Sequence, residues 1–220
     1  MTQAALRQPI ALAEPAAHEP DASIAHSTLD ADMHRRLCRA GAGTLLRLFL
    51  TDRAFRPLVT LRLFHRLRGT RIGRLVHPLL AVAHKLLCQM AAIDLPMKTA
   101  IGPGLAIMHG WSLVVSHGAV IGRNVTLFHG VTIGQGDRID ADGRRVTAYP
   151  VIEDDVWIGP GAVIVGDVRI GAGSRIMAHA IVIEDVPPRS MVAAGGARIV
   201  RENCTPDVLN PAPLPNRARA

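Results

Sequence analysis

The sequence predicts a mainly β fold: a parallel β-helix of six-residue repeats over residues 93–200, preceded by an α-helical region over residues 31–92. Three observations predict it. From Leu95 onward an aliphatic residue returns every six positions, in thirteen hexads interrupted once. A small or β-branched residue often stands four places later, as at Thr99, Ala119, Val125, Val131, Val156, Ala162, Val168, Ser174 and Ala180. Aromatic residues are only 3% of a chain that is 49% hydrophobic, so Val, Ile, Leu and Ala must fill the core. A helix would repeat every 3.6 residues and a simple strand every two. A period of six fits a short strand plus a turn wound around a prism, whose coils bury their faces only by stacking.

The elements follow in order. Residues 1–30, rich in Ala, Pro and small polar residues, are expected to form a disordered tail. LLRLFL at 45–50 and LVTLRLFHRL at 58–67 mix apolar and Arg positions at helical spacing. Leu63 and Leu67 fall on one face, and Arg62 and Arg66 on another that is expected to be solvated. His77-Pro78 should begin or break a helix, and LLAVAHKLLCQMAA at 79–92 forms the next. In the repeat region two extra residues intrude between the hexads at 107 and 115. Residues 136–150 are polar and off-register, so a loop should leave the prism there. Residues 201–220 are expected to be a second tail.

Composition narrows the function. Cys38, Cys88 and Cys204 stand far apart with no CxxC or Cys/His cluster, which points to reduced thiols and no metal site. The opening residues lack a basic start followed by an apolar run, so no signal peptide is expected and a cytoplasmic location is. The net charge is +7, yet residues 31–90 alone carry eleven Arg and one Lys against Asp32 and Asp52. Such a segment can face anionic ligands or a membrane surface. Nucleic acid is not expected, because there is no motif for it and little aromatic surface for base stacking.

The repeats resemble the hexapeptide acyltransferases, and more closely the serine acetyltransferase branch. The residues that carry this are IDLPMKTAIGPGLAIMHG, NVTLFHGVTIG, VIEDDVWIGPGAVIVGDVRIGAGS and VPPRSMVAAGGARIV. The resemblance implies a left-handed β-helix, a homotrimer with pairing of trimers into a hexamer left open, and acetyl-CoA as donor with no metal. It implies catalysis by His109 with Asp94. It also places coenzyme A along Gly159, Gly161, Ala162, Ala178 and Ala180, with Arg175 or Arg198 at its phosphates. Two family features that read serine are absent. Met108 stands where an Asp usually precedes the His, and Ala148-Tyr149-Pro150 stands where Arg-His-Pro is usual. In this the chain is similar to colanic-acid-type polysaccharide acetyltransferases, which share the His-Gly-Val-Thr-Ile-Gly run at 129–134. The expected acceptor is therefore a hydroxyl-bearing small molecule or glycan, most simply a sugar, with serine as the alternative. A zinc-binding or non-catalytic β-helix using His109, His117 and His129 is a further alternative.

The chemistry agrees with those residues. A thioester is already activated and an alcohol is not, so a base must stand beside the hydroxyl. A neutral histidine suits that role near neutral pH, and a carboxylate would orient it. Three hexads make one coil, so His109 and His129 should share a corner about 4.8 Å apart, with His117 on another. His129, Trp111 and Tyr149 are the acceptor-side candidates. An eighteen-residue coil would put Ala91 under His109, so contact with Asp94 requires an irregular first turn.

Overall fold

The computed structural model describes residues 24–195. Four helices come first: α1 (Ile24–Leu37), α2 (Ala42–Thr51), α3 (Arg56–Leu67) and α4 (Arg71–Ala91). α1 begins inside the stretch read as a tail. Residues 1–23 and the C-terminal tail, with Arg198 and Cys204, lie outside the described residues.

The prism then winds coil by coil. The first coil holds β1 (Ile93–Asp94), β2 (Ala100–Ile101) and β3 (Ala106–Met108). The second holds β4 (Leu113–Val115), β5 (Val120–Ile121) and β6 (Thr126–Phe128). β7 (Thr132–Gly134) opens the third, which is interrupted by β8 (Gly136–Ile139) and β9 (Arg145–Ala148) before β10 (Val151–Ile152) and β11 (Trp157–Ile158). β12 (Val163–Val165), β13 (Arg169–Ile170), β14 (Arg175–Ile176), β15 (Ile181–Val182) and β16 (Met191–Val192) complete the stack. The coils pair in parallel as three sheets, β1-β4-β7-β12-β15, β2-β5-β10-β13 and β3-β6-β11-β14-β16.

The repeat residues fill the interior as their spacing predicts. Leu127, Ile133, Ile158, Ile164, Ile170 and Ile176 are wholly buried, and so are Thr99, Val125, Val156, Ala162 and Ser174 at the corners. The two-residue insertion lengthens one step: Ile93 pairs with Leu113, twenty positions on, whereas Val163 pairs with Ile181, eighteen on. The off-register segment leaves the three prism sheets, as expected, and is itself ordered. β8 and β9 form an antiparallel hairpin, with Arg138 opposite Val146 and the Asp137 carboxylate accepting from Arg145 and Thr147.

Two expectations for the helices are corrected. Pro78 neither starts nor breaks a helix. α4 runs through it from an N-cap at Thr70, whose hydroxyl accepts from Gly73 N–H. Arg62 is not solvated: it is 5% exposed, while Leu63 on the supposedly apolar face is 43% exposed. The Arg62 guanidinium donates to both carboxylate oxygens of buried Asp32, at 2.8 and 3.1 Å, and to the carbonyls of Ile101 and Gly102. Asp32 in turn accepts from the N–H groups of Gly104 and Leu105. Burial pushes its carboxyl up, and Arg62 and the two N–H groups pull it back. This cluster fastens α1 and α3 to the first coil.

His84 of α4 makes a second fastening. Its Nε2 faces the Leu95 carbonyl at 2.7 Å, so in the neutral ring Nδ1 accepts from the Thr60 hydroxyl. His65 likewise meets the Met97 carbonyl. Burial holds both imidazoles below the ordinary value of 6.5. The unfolded chain then binds protons that the folded chain refuses. Stability is therefore complete above pH 6.5 and lost as pH falls below it. Thermal unfolding followed across that range should show a falling Tm, with a shallower fall in His84→Gln. Buried Cys88 contacts His84, and burial raises its thiol to about 11, which keeps it protonated and inert.

Candidate active site

Between β3 and β4 the chain carries two more residues than the same corner one coil on: Met108 to Val115 spans seven positions, whereas their partners Phe128 and Ile133 are five apart. His109 and Ser112 both take left-handed backbone, with φ of 58° and 55°. Other corners share this need, for example at Asn124, Asp155 and His179, so it marks the corner rather than the chemistry. The turn presents His109 and Trp111 to solvent, while Gly110 packs inward. A side chain at Gly110 would meet Ile93 and Ile107 within 2.8 Å.

His109 lies beneath His129 of the next coil, with rings edge to face and centroids 6.4 Å apart. Register sets this, because Met108 pairs with Phe128. His117 sits elsewhere and pairs with Tyr149, whose hydroxyl lies 3.2 Å from its Nε2. Within one chain, then, Tyr149 joins His117 rather than His109. Asp94 is exposed on β1 opposite Val114, and no side-chain hydrogen bond connects it to His109 among the described residues. The long first coil explains this. Among the described residues no strand underlies β3, and Ala91 ends α4 in the core instead of lying beneath His109.

The helices supply what the coil does not. His109, Gly110 and Trp111 share a cleft of about 520 Å³ with Arg36, Arg47, Asp52, Arg53 and Arg56. Asp52 organises it. One carboxylate oxygen accepts from Ala54 and Phe55 N–H, closing the turn between α2 and α3. The other accepts from Nε and Nη2 of Arg36, whose Nη1 reaches the Met108 sulfur. Arg53 donates to the Ala91 carbonyl and lies over Trp111, its Cζ 3.3 Å from the ring centre. Sequence reasoning missed Arg36, Asp52 and Arg53. The signal available was that Asp32 and Asp52 are the lone acids in a long basic segment, and both hold arginines.

The residues expected along coenzyme A lie further up the same corner. The Ala162 and Ala180 side chains point into the core, so only their backbone can border a groove. Gly159 lets coils meet closely, since a Cβ there would stand 2.8 Å from the Ala178 nitrogen. Ala178 and Arg175 are exposed, and Arg175 lies over Trp157. No group of three or more His, Cys, Asp or Glu is placed to hold a metal among the described residues.

Comparison with known proteins gives the same direction. Residues 149–184 match the family model "Bacterial transferase hexapeptide (six repeats)". Serine acetyltransferase of Escherichia coli K12 is 33% identical over 154 residues, 68% of this chain and 55% of the relative. Serine acetyltransferase 2 of Arabidopsis thaliana is 31% identical over 149 residues, 66% of this chain and 45% of the relative. The chain thus spans about half the length of the curated relatives it matches. Among solved structures, the soybean serine acetyltransferase apoenzyme superimposes with a TM-score of 0.63 at 31% identity, covering 81% of this chain and 69% of that one. The Neisseria gonorrhoeae serine acetyltransferase in complex with serine gives 0.61 at 28%, with 80% and 69% covered. These relatives are serine acetyltransferases rather than polysaccharide acetyltransferases. The parallel prism is a left-handed β-helix, and the chain belongs to the hexapeptide-repeat acyltransferase family.

Proposed function

We propose that this chain is an acetyl-CoA-dependent O-acetyltransferase with His109 as general base and an amino acid of the serine type as acceptor. The observation that carries this is the cleft, in which His109 stands among four arginines and one carboxylate. The base removes the hydroxyl proton as the oxygen attacks the acetyl carbonyl. The C–S bond then breaks, and the imidazolium returns the proton to the departing thiolate. His129, one coil above with its ring centre 6.4 Å from that of the base, borders the acceptor.

An acceptor carboxylate needs a cation, and the usual Arg-His is absent at Ala148-Tyr149. Arg53 offers a substitute from the helical side. Among the described residues only its Nη1 donates a hydrogen bond, and the guanidinium lies over the Trp111 ring. Arg53→Ala should raise KM for serine about tenfold, the loss of one charge-assisted hydrogen bond, with a smaller change in kcat.

A sugar acceptor is the second reading. Met108 and Tyr149 at the serine-reading positions favour it, as does exposed Trp111 beside the base. Thiol release from acetyl-CoA, measured first with L-serine and then with a sugar panel, separates the two. Turnover with serine alone supports the first reading, and turnover with a sugar alone replaces it with the second. Coenzyme A would lie along Gly159, Gly161 and Ala178, with Arg175 at its phosphates. A homotrimer is part of the reading, supported by the exposed Val114 and Ile181 on one sheet and Ile183 just beyond it. A donor drawn from the acetyl-CoA pool implies a cytoplasmic reaction.

A further inference from the structure

α4 has two unlike faces. Gly73, Leu80, His84, Cys88 and Ala91 are buried against the rest of the protein. Ile72, Leu75, Leu79, Val82, Leu86 and Met90 recur every three or four residues along the other side and are 54–82% exposed. At 3.6 residues per turn these six form one continuous stripe along a 21-residue helix. A stripe of that length is too large to be scattered surface apolarity.

Its surroundings are uniformly basic. From residue 53 to residue 93 there are seven Arg and one Lys and no acidic residue. Arg71, Arg74 and Lys85 project beside the stripe on its adjoining flank, and all three are exposed. Among the described residues none of them forms an ion pair. Charge decides what can cover such a face. Two copies of α4 laid stripe to stripe would set these cations against their own kind, with only Asp94, beyond the end of the helix, to answer three of them. An anionic lipid surface answers both features: acyl chains take the stripe, and headgroup phosphates take the flank. No described helix is long and apolar enough to cross a bilayer, so α4 would lie in the plane of the surface.

We infer that α4 is a membrane-surface helix that docks this protein on anionic lipid. This goes beyond the acetyltransferase reading and holds whichever acceptor is used.

The test is co-sedimentation of the full chain with vesicles of phosphatidylcholine, with and without phosphatidylglycerol. The wild type should pellet with the anionic vesicles, less so as salt is raised. Leu75→Glu with Leu79→Glu should weaken partitioning about tenfold or more, and Arg71→Glu with Arg74→Glu should weaken it on anionic vesicles. Leu79→Ser is the milder variant if circular dichroism shows the double change to perturb folding. The inference is overturned if the wild type fails to pellet, or if the Leu75 and Leu79 changes leave pelleting unaltered. It is also overturned if those changes instead lower the oligomer mass in sedimentation velocity, which would make the stripe a contact between copies. Thiol-release activity plays no part in these readouts, so failure here leaves the catalytic reading standing.

Discussion

Replacing His109 should lower acceptor-dependent thiol release about a hundred- to ten-thousandfold, the range a general base contributes. Alanine is the usual choice, but His109 holds φ at 58°, and asparagine accepts that backbone more readily than alanine does. Both variants should therefore be measured. Equal loss in His109→Asn and His109→Ala, with unchanged Tm for the asparagine variant, assigns the effect to the missing imidazole and not to a collapsed turn. Near-wild-type kcat in either variant would mean that another group takes the proton. Asp52→Asn is the informative companion. It keeps the shape of the turn between α2 and α3 but weakens the hold on Arg36, so its effect should be milder than that of His109→Asn.

Arg62→Leu should cost about 3–5 kcal/mol of folding stability, because it strands the Asp32 carboxylate in the interior. Asp32→Ala should cost a similar amount, since it leaves a buried guanidinium with only carbonyl partners. The double change Asp32→Leu with Arg62→Leu should recover part of either loss, as apolar replacements of buried ion pairs do. Urea unfolding midpoints read all three. Single variants that unfold at the wild-type midpoint would show that water reaches the pair and that the clamp between helices and coil lies elsewhere.

The prism was legible because its physics is local and periodic. An inward aliphatic residue every six positions and a small residue at each corner are properties of neighbouring residues, so Ile158, Ala162 and Ile164 declare themselves. The shared corner of His109 and His129 was legible for the same reason. The residue below His109 was not. The two extra residues were visible, but their effect on the partner of Asp94 depends on where the first coil closes, and that is a tertiary matter. Arg62 was misread because helical spacing reveals which residues share a face and not which face is buried. The cleft was least legible. Arg36, Asp52 and Arg53 come from helices whose seat on the prism leaves no repeat in the sequence.

The helices also settle where the stack begins. Each coil of a β-helix is a template for another, and nothing within the repeat tells it to stop. At its first turn, β1, β2 and β3 are edge strands, the kind of surface that recruits further strands and drives polymerisation. Here the backbone groups beside those edges are already engaged. Arg62 holds the carbonyls of Ile101 and Gly102, Asp32 takes the N–H groups of Gly104 and Leu105, and His84, His65 and Arg53 occupy the carbonyls of Leu95, Met97 and Ala91. The helical region is thus a stopper as well as a wall of the cleft. A fragment starting at Ile93 would keep every hexad yet lose its terminator, and would be prone to grow end to end into fibres.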